Sequence, residues 1–216
     1  MQFAVIGLGK FGETVAKTLV KNNCEVLAID KDEERIQDIS AEVSHAVATD
    51  ALDEKSLRAL ITPDFDAVII CIGEDFEASI LSLMIVLDIG IKKVIVKAEN
   101  KIRAKILTKL GASQVIFPEI EVGEKLAQNI INPDIQDLLN LSDKFSIAEI
   151  NMPRDVVNKT ILESDFRKKY KLNIIAIRKG DLSKENIEVN PNPETVLQQT
   201  DRLFVLGETE RIRKIK

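Results

Sequence analysis

Apolar and polar positions alternate along this chain in blocks that switch period. Gln2 to Leu8 is a short apolar run, and the stretch after it places Phe11, Val15, Ala16, Leu19 and Val20 on one helical face. Glu25 to Ile29 is again a continuous apolar run and ends at Asp30. Asp32 to Ala41 returns to a helical period with Ile36 and Ile39 inward, and His45 to Thr49 reads as a third strand. Asp53 to Ile61 predicts a helix capped by Asp53, and Thr62-Pro63-Asp64 breaks it. Ala67 to Ile72 is apolar throughout, as a central parallel strand covered on both faces would be. A helix over Ala78–Leu87, a strand over Lys93–Ala98, a helix over Lys101–Leu110 and a strand over Gln114–Phe117 complete the series. Strands alternating with helices in this way predict an α/β fold, a doubly wound parallel sheet of the Rossmann kind, over residues 1–118.

Beyond that point the pattern changes. Glu119 to Ile131 is amphipathic, with Val122, Leu126, Ile130 and Ile131 on one side, and Asn132-Pro133-Asp134 stops it. Ile135 to Leu141 is read as a second short helix, so residues 119–141 are expected to form a crossover helix–turn–helix. Residues 142–216 read as a small α+β domain. Its expected elements are strands over Ser146–Asn151, Asn173–Ile177, Ile187–Asn190 and Arg202–Leu206, and a helix over Thr160–Lys171. Lys179-Gly180-Asp181 is turn chemistry, and Glu208 to Lys216 is expected to be a short, solvated basic helix.

The sharpest chemistry lies at the first strand's end. Gly7-Leu8-Gly9-Lys10-Phe11-Gly12 follows a strand and opens a helix, and Asp30 stands 18 residues after Gly12 at the end of the second strand. This is the context in which G-x-G-x-x-G reads as a dinucleotide-type phosphate loop. Gly7 permits the turn, Gly9 leaves room for phosphate against the backbone, and Gly12 lets the helix approach the sheet. The helix N-terminus offers unpaired N–H groups and partial positive charge. Asp30 can accept from the adenosine ribose hydroxyls, and its charge disfavours a 2′-phosphate and hence NADP. The loop does not choose between NAD, ATP, ADP and AMP.

Composition narrows the class. With 45% hydrophobic and 30% charged residues and a net charge of −5, the 216-residue chain reads as soluble and globular, with no broad attraction to nucleic acid. Two cysteines, Cys24 and Cys71, and a lone His45 lack metal-ligand spacing and suit a reducing cytoplasm. A strand at the N-terminus implies no secretory leader. Ala78 to Ile91, the longest apolar stretch, is too short and polar to span a bilayer, so any membrane link is expected through a partner.

FAVIGLGKFG, HAVATDALDE, VKAEN and IFPE, in this order, resemble the regulator of potassium conductance family, and FSIAEI with NIIAIRKGD…NPNPET…DRLFVLG resembles its C-terminal module. The nearest resemblance is to the KtrA/TrkA-type cytosolic subunits of bacterial potassium uptake systems. It implies a non-enzymatic, cytoplasmic subunit beneath a membrane potassium-translocating subunit of the KtrB/TrkH kind, assembled as dimers and a ring, commonly an octamer. Nucleotide (ATP or ADP, with NAD or NADH as alternatives) would control the ring's shape. Carried over by motif, Gly7, Gly9, Lys10, Phe11 and Gly12 would hold phosphate and Asp30 would hold the ribose, with Lys31 next to it also counted as cofactor-binding. Asp50 and Ala51 would border adenine, Ile72 and Gly73 would flank the sugar, and Lys97 would lie near phosphate. Glu119 would hold a divalent or monovalent cation with ATP. Lys10 stands where members often carry arginine, so the planar two-donor fork is absent. Phe166, Arg167, Asn173, Ile174 and Pro191 would line a cyclic di-AMP groove between two subunits.

An NAD(H)-dependent oxidoreductase or an NAD(H) redox sensor is the other reading of the first domain. For the enzyme the acid–base candidates reduce to His45, Tyr170 and Cys71, the last inside a buried apolar strand.

Overall fold

The computed structural model describes residues 1–180 and 186–215, and for residues 136–137 the backbone only. Two compact units, Met1–Val122 and Gly123–Lys216, divide the chain.

In the first unit six strands alternate with helices: β1 Gln2–Ile6, α1 Lys10–Lys21, β2 Glu25–Asp30, α2 Glu33–Ile39, β3 His45–Ala48 and α3 Glu54–Leu60. They continue as β4 Ala67–Ile70, α4 Phe76–Ile89, β5 Val94–Lys97, α5 Lys101–Leu110 and β6 Gln114–Ile116, followed by α6 Pro118–Ile131. All neighbouring strands pair in parallel, in the order β3-β2-β1-β4-β5-β6. The order reverses between β1 and β4, and such a switch point opens a crevice at the strands' carboxyl ends. One sheet face packs on α3, α4 and α5 through Ile6, Ile29, Ile70, Leu83, Val94 and Leu107, and the other on α1 and α2 through Val5, Ala16, Val26 and Ile39. Burial on both faces is why β4 is apolar at every position, its valine and two isoleucines each contributing about 1.5–3 kcal/mol.

Local chemistry sets the helix ends. Asp32, Asp53, Asp75 and Asn100 each accept first-turn N–H groups of α2, α3, α4 and α5. Gly90 and Gly111 end α4 and α5 at φ of 100° and 113°, a conformation glycine adopts without strain.

The second unit carries a five-stranded antiparallel sheet, β10-β9-β11-β8-β7, from β7 Ile135–Asn140, β8 Phe145–Asn151, β9 Asn173–Arg178, β10 Ile187–Val189 and β11 Arg202–Glu208. Here Ile135–Leu141 departs from the expected helix. It is the edge strand β7, paired with β8 from Ile135↔Ile150 to Asn140↔Ser146 around a bulge between Gln136 and Leu139. A segment this short gains little as an isolated helix, whereas a hairpin gives its backbone groups partners in β8.

The helix expected over Thr160–Lys171 is split into α7 Ile161–Ser164 and α8 Phe166–Tyr170 by Asp165, which sits in the left-handed region at φ 45°. Thr160 and Glu163 form a reciprocal capping box at its start. The tail is not a solvated helix either. The single turn α9 Thr209–Ile212 buries Ile212, and Ile215 is also in the core with Ile150, Leu203 and Val205. The turn read at Lys179–Asp181 ends outside the described residues, as does Lys216.

Candidate functional site

At the switch point β1 runs into the glycine loop. Gly7 donates its N–H to the Ile29 carbonyl at 2.8 Å and takes φ 93°, where a Cβ would also meet the Cys71–Ile72 peptide at 3.1 Å. Gly12 faces the Gly7 carbonyl so closely that an added Cβ would lie 1.9 Å from its oxygen, so α1 docks on the loop only with glycine there. Gly9 is different: an added Cβ would meet nothing within 4 Å. It is the N-cap of α1, and the first helical bond runs from Glu13 N–H to the Gly9 carbonyl at 2.9 Å. The N–H groups of Lys10, Phe11 and Gly12 precede that bond and have no acceptor within the helix.

These groups border a cavity of about 490 Å³, within the range of small-molecule sites. Its walls contain Gly7, Gly9, Lys10, Phe11, Asp30, Lys31, Asp50, Ala51, Ile72, Gly73, Lys97 and Glu119. Of the nucleotide and cation residues read from the sequence, only Gly12 lies behind the wall, where it supports the loop.

Asp30, 7% exposed, accepts from the Leu8 N–H through Oδ2 at 2.5 Å and from the Asp32 N–H through Oδ1 at 2.9 Å. Asp50 accepts from the Leu52 N–H, and the Ala51 carbonyl accepts from Ser82 on α4 at 3.1 Å. The loop after β4 is held by Arg103, which donates to the Gly73 carbonyl at 3.4 Å and stacks over Phe76 at 4.9 Å. At the far end Lys97 donates to Glu119 Oε1 at 2.5 Å; the lysine side chain is 13% exposed and the glutamate 66%. The Lys97 hydrogen bond holds the Glu119 carboxyl below the usual carboxylate range, outweighing the opposing effect of desolvation. The side chain of Lys10, in contrast, is fully exposed, with Glu13 at 3.7 Å.

The chemistry of these donors fits an adenine dinucleotide or nucleoside phosphate: N–H groups and Lys97 for phosphate, a buried carboxylate for ribose hydroxyls, and an open approach at Gly9. Among the described residues no group of three or more His, Cys, Asp or Glu side chains could hold a metal ion.

The acid–base candidates of the oxidoreductase reading are not brought together. Burial pushes the Cys71 thiol up to about 12, with Lys97 pulling weakly the other way, so the thiol at the cavity floor is protonated at neutral pH. His45 is exposed at the start of β3 and is not a lining residue, and Tyr170 belongs to the second unit.

Arg35 is a wall residue that the sequence reading missed. Its Nη1 lies 3.5 Å from Asp30 Oδ2. The signal was its place in the first turn after the β2 acid, where arginine is a known ribose-side residue.

In the second unit Phe166 is 2% exposed and packs on Tyr170 with ring centroids 4.6 Å apart, within the core of this chain. Ile174 packs partly against the same core, whereas Arg167 and Asn173 are exposed and Pro191 half-buried. A depression in this unit is bordered by other residues, among them Arg154, Asp155, Lys169, Tyr170 and Arg202.

Two family models match the chain: the TrkA-N domain over residues 3–118 and the TrkA-C domain over residues 145–216. Its relatives include the Ktr system potassium uptake protein C of Bacillus subtilis, 37% identical over 100% of this chain and 96% of that one. The Ktr system potassium uptake protein A of the same organism is 35% identical over 100% of this chain and 95% of that one. Among solved structures, one described as the GsuK channel bound to NAD aligns with a TM-score of 0.63 at 17% identity, covering 97% of this chain and 38% of that longer one. That likeness is one of fold.

Proposed function

Because the chain belongs to the TrkA family, carrying both its TrkA-N and TrkA-C domains, we propose that it is the regulatory subunit of a potassium uptake system whose state is set by an adenine nucleotide. Its relatives of nearly equal length are potassium uptake proteins of Ktr systems, which implies a membrane potassium-translocating partner. Among the described residues no helix is long and apolar enough to cross a membrane; in this reading the partner carries the ion. The chain itself is not an enzyme and acts in the cytoplasm, at the membrane's inner face through the partner.

The observation that carries the nucleotide part is the cavity at the switch point, where the glycine loop, the α1 N-terminus, Asp30 and Lys97 converge. Residues 1–118 are the nucleotide-binding domain, 119–141 the crossover, now helix followed by strand, and 142–216 the regulatory domain. Phosphates lie on the N–H groups of the loop, the ribose on Asp30, and adenine against Asp50 and Ala51. Lys97 takes the outer phosphate, and Glu119 meets a cation accompanying ATP. In this reading the cation and the outer phosphate complete their contacts at a paired subunit, toward which the fully exposed Lys10 side chain, with Glu13 at 3.7 Å, could extend. A nucleotide that favours one dimer angle shifts a ring of such dimers, an octamer in this reading, by its difference in affinity for the two shapes, and the ring passes that bias to the partner's gate. Cyclic di-AMP in the regulatory domain would draw on Arg167, Asn173, Ile174 and Pro191.

The test is potassium uptake by a strain lacking its own uptake systems and expressing a KtrB/TrkH-like subunit. This chain should restore growth at low potassium, and the Gly9→Val chain should not. Equal rescue by both would overturn nucleotide control, and rescue by neither would overturn the transport role.

A further inference from the structure

Arg35 changes the electrostatics of the ribose end. It stands five residues after Asp30 in α2, is 51% exposed, and lines the same cavity as Asp30 and Lys31. Its Nη1 is 3.5 Å from Asp30 Oδ2 and its Nε 3.4 Å from Asp32 Oδ2. Both oxygens of Asp30 already accept backbone N–H groups, from Leu8 and Asp32. The carboxylate's charge is therefore met by two peptide dipoles and a guanidinium before any ligand arrives. Lys31, exposed beside it, makes no ion pair among the described residues. Of the other acids lining the cavity, Asp50 accepts from the Leu52 N–H, Asp75 caps α4 at the Ala78 N–H, Glu119 pairs with Lys97, and Glu74 completes the set.

An acid standing alone after the second strand repels a phosphate on the ribose, whereas an arginine nearby accommodates one. We infer that Arg35, assisted by Lys31, is the specificity-determining residue of the ribose end, and that it lets the site take adenosine nucleotides phosphorylated on the ribose 2′-oxygen. The guanidinium offers a planar pair of donors to such a phosphate while Asp30 stays tied to the backbone. This rests on the nucleotide reading of the cavity, and it replaces the exclusion of NADP that Asp30 alone predicts.

The experiment is calorimetric titration of the full chain, as wild type, Arg35→Ala and Arg35→Lys, with ADP, NAD and NADP. Wild type should bind NADP within about tenfold of NAD, and Arg35→Ala should lose about tenfold or more for NADP while NAD and ADP change by less than about threefold. Arg35→Lys, which keeps the charge, should recover part of the NADP loss. If ADP and NAD bind but wild type rejects NADP by more than about a hundredfold, the inference fails and the nucleotide reading stands. Equal losses for all three ligands in Arg35→Ala would also overturn it, making Arg35 a support for Asp30 only. If none of the three binds wild type, both fall.

Discussion

The N–H of Leu8, in the middle of the glycine loop, donates to Oδ2 of Asp30 at 2.5 Å, so one carboxylate both lines the cavity and fixes the glycine loop beside it. Asp30→Ala therefore does two things. It removes the proposed ribose acceptor, and it leaves a buried N–H unpaired at a cost of about 1–3 kcal/mol. The expected outcome is a lower melting temperature together with weaker binding of every adenosine nucleotide. Thermal unfolding with and without ADP separates the two effects. An unchanged midpoint in the ligand-free protein would contradict the structural half.

The glycines of the loop should separate by role. Gly9→Val places a side chain in open space, so the protein should fold with near-normal stability and lose nucleotide binding. Gly12→Val drives a Cβ into the Gly7 carbonyl and should cost about 1–3 kcal/mol or more. Urea denaturation of both variants checks this, and a Gly9→Val protein less stable than Gly12→Val would refute it.

The first unit was legible because its code is redundant. Runs such as Ala67–Ile72 are apolar at every position, and each is bounded by a cap or a glycine. The second unit was less so. Leu138 and Leu139 satisfy a helical stripe as well as a strand, and the bulge between Gln136 and Leu139 breaks the alternation that would have marked β7. Asp165 in the left-handed region ends α7 without a glycine to announce it. Arg35 was hidden because a polar first-turn residue looks like surface until the strand order brings it to the crevice.

The Lys97–Glu119 pair makes a pH statement. The folded carboxyl of Glu119 titrates below its unfolded value, so the pair's contribution is complete above the unfolded pKa and is lost as pH falls through the folded one. With Glu119 mostly exposed, solvent screening keeps that contribution small. Lys97→Met should return the Glu119 titration upward, read by carboxyl carbon NMR. A titration unmoved by the substitution would remove Lys97 as the cause. Glu119→Ala should abolish the cation dependence of ATP binding, and a dependence equal to wild type would remove the carboxylate from the cation site.

Cys71 should resist alkylation. Its thiol is 6% exposed and pushed up to about 12 by burial, so at pH 8 iodoacetamide should modify it only as fast as the domain opens. Peptide mapping after timed labelling gives the rate, and adding denaturant should raise it steeply. Rapid labelling of the folded protein would revive the thiol as a reactive group.

The central claim is that the crevice at the β1/β4 switch point holds an adenine nucleotide. Calorimetric titration of ATP, ADP and NAD into wild type and into Gly9→Val tests it most directly. The account predicts saturable binding of at least one of the three to wild type and none to a folded Gly9→Val protein. Binding of equal strength to both would contradict it and move the nucleotide out of the glycine loop.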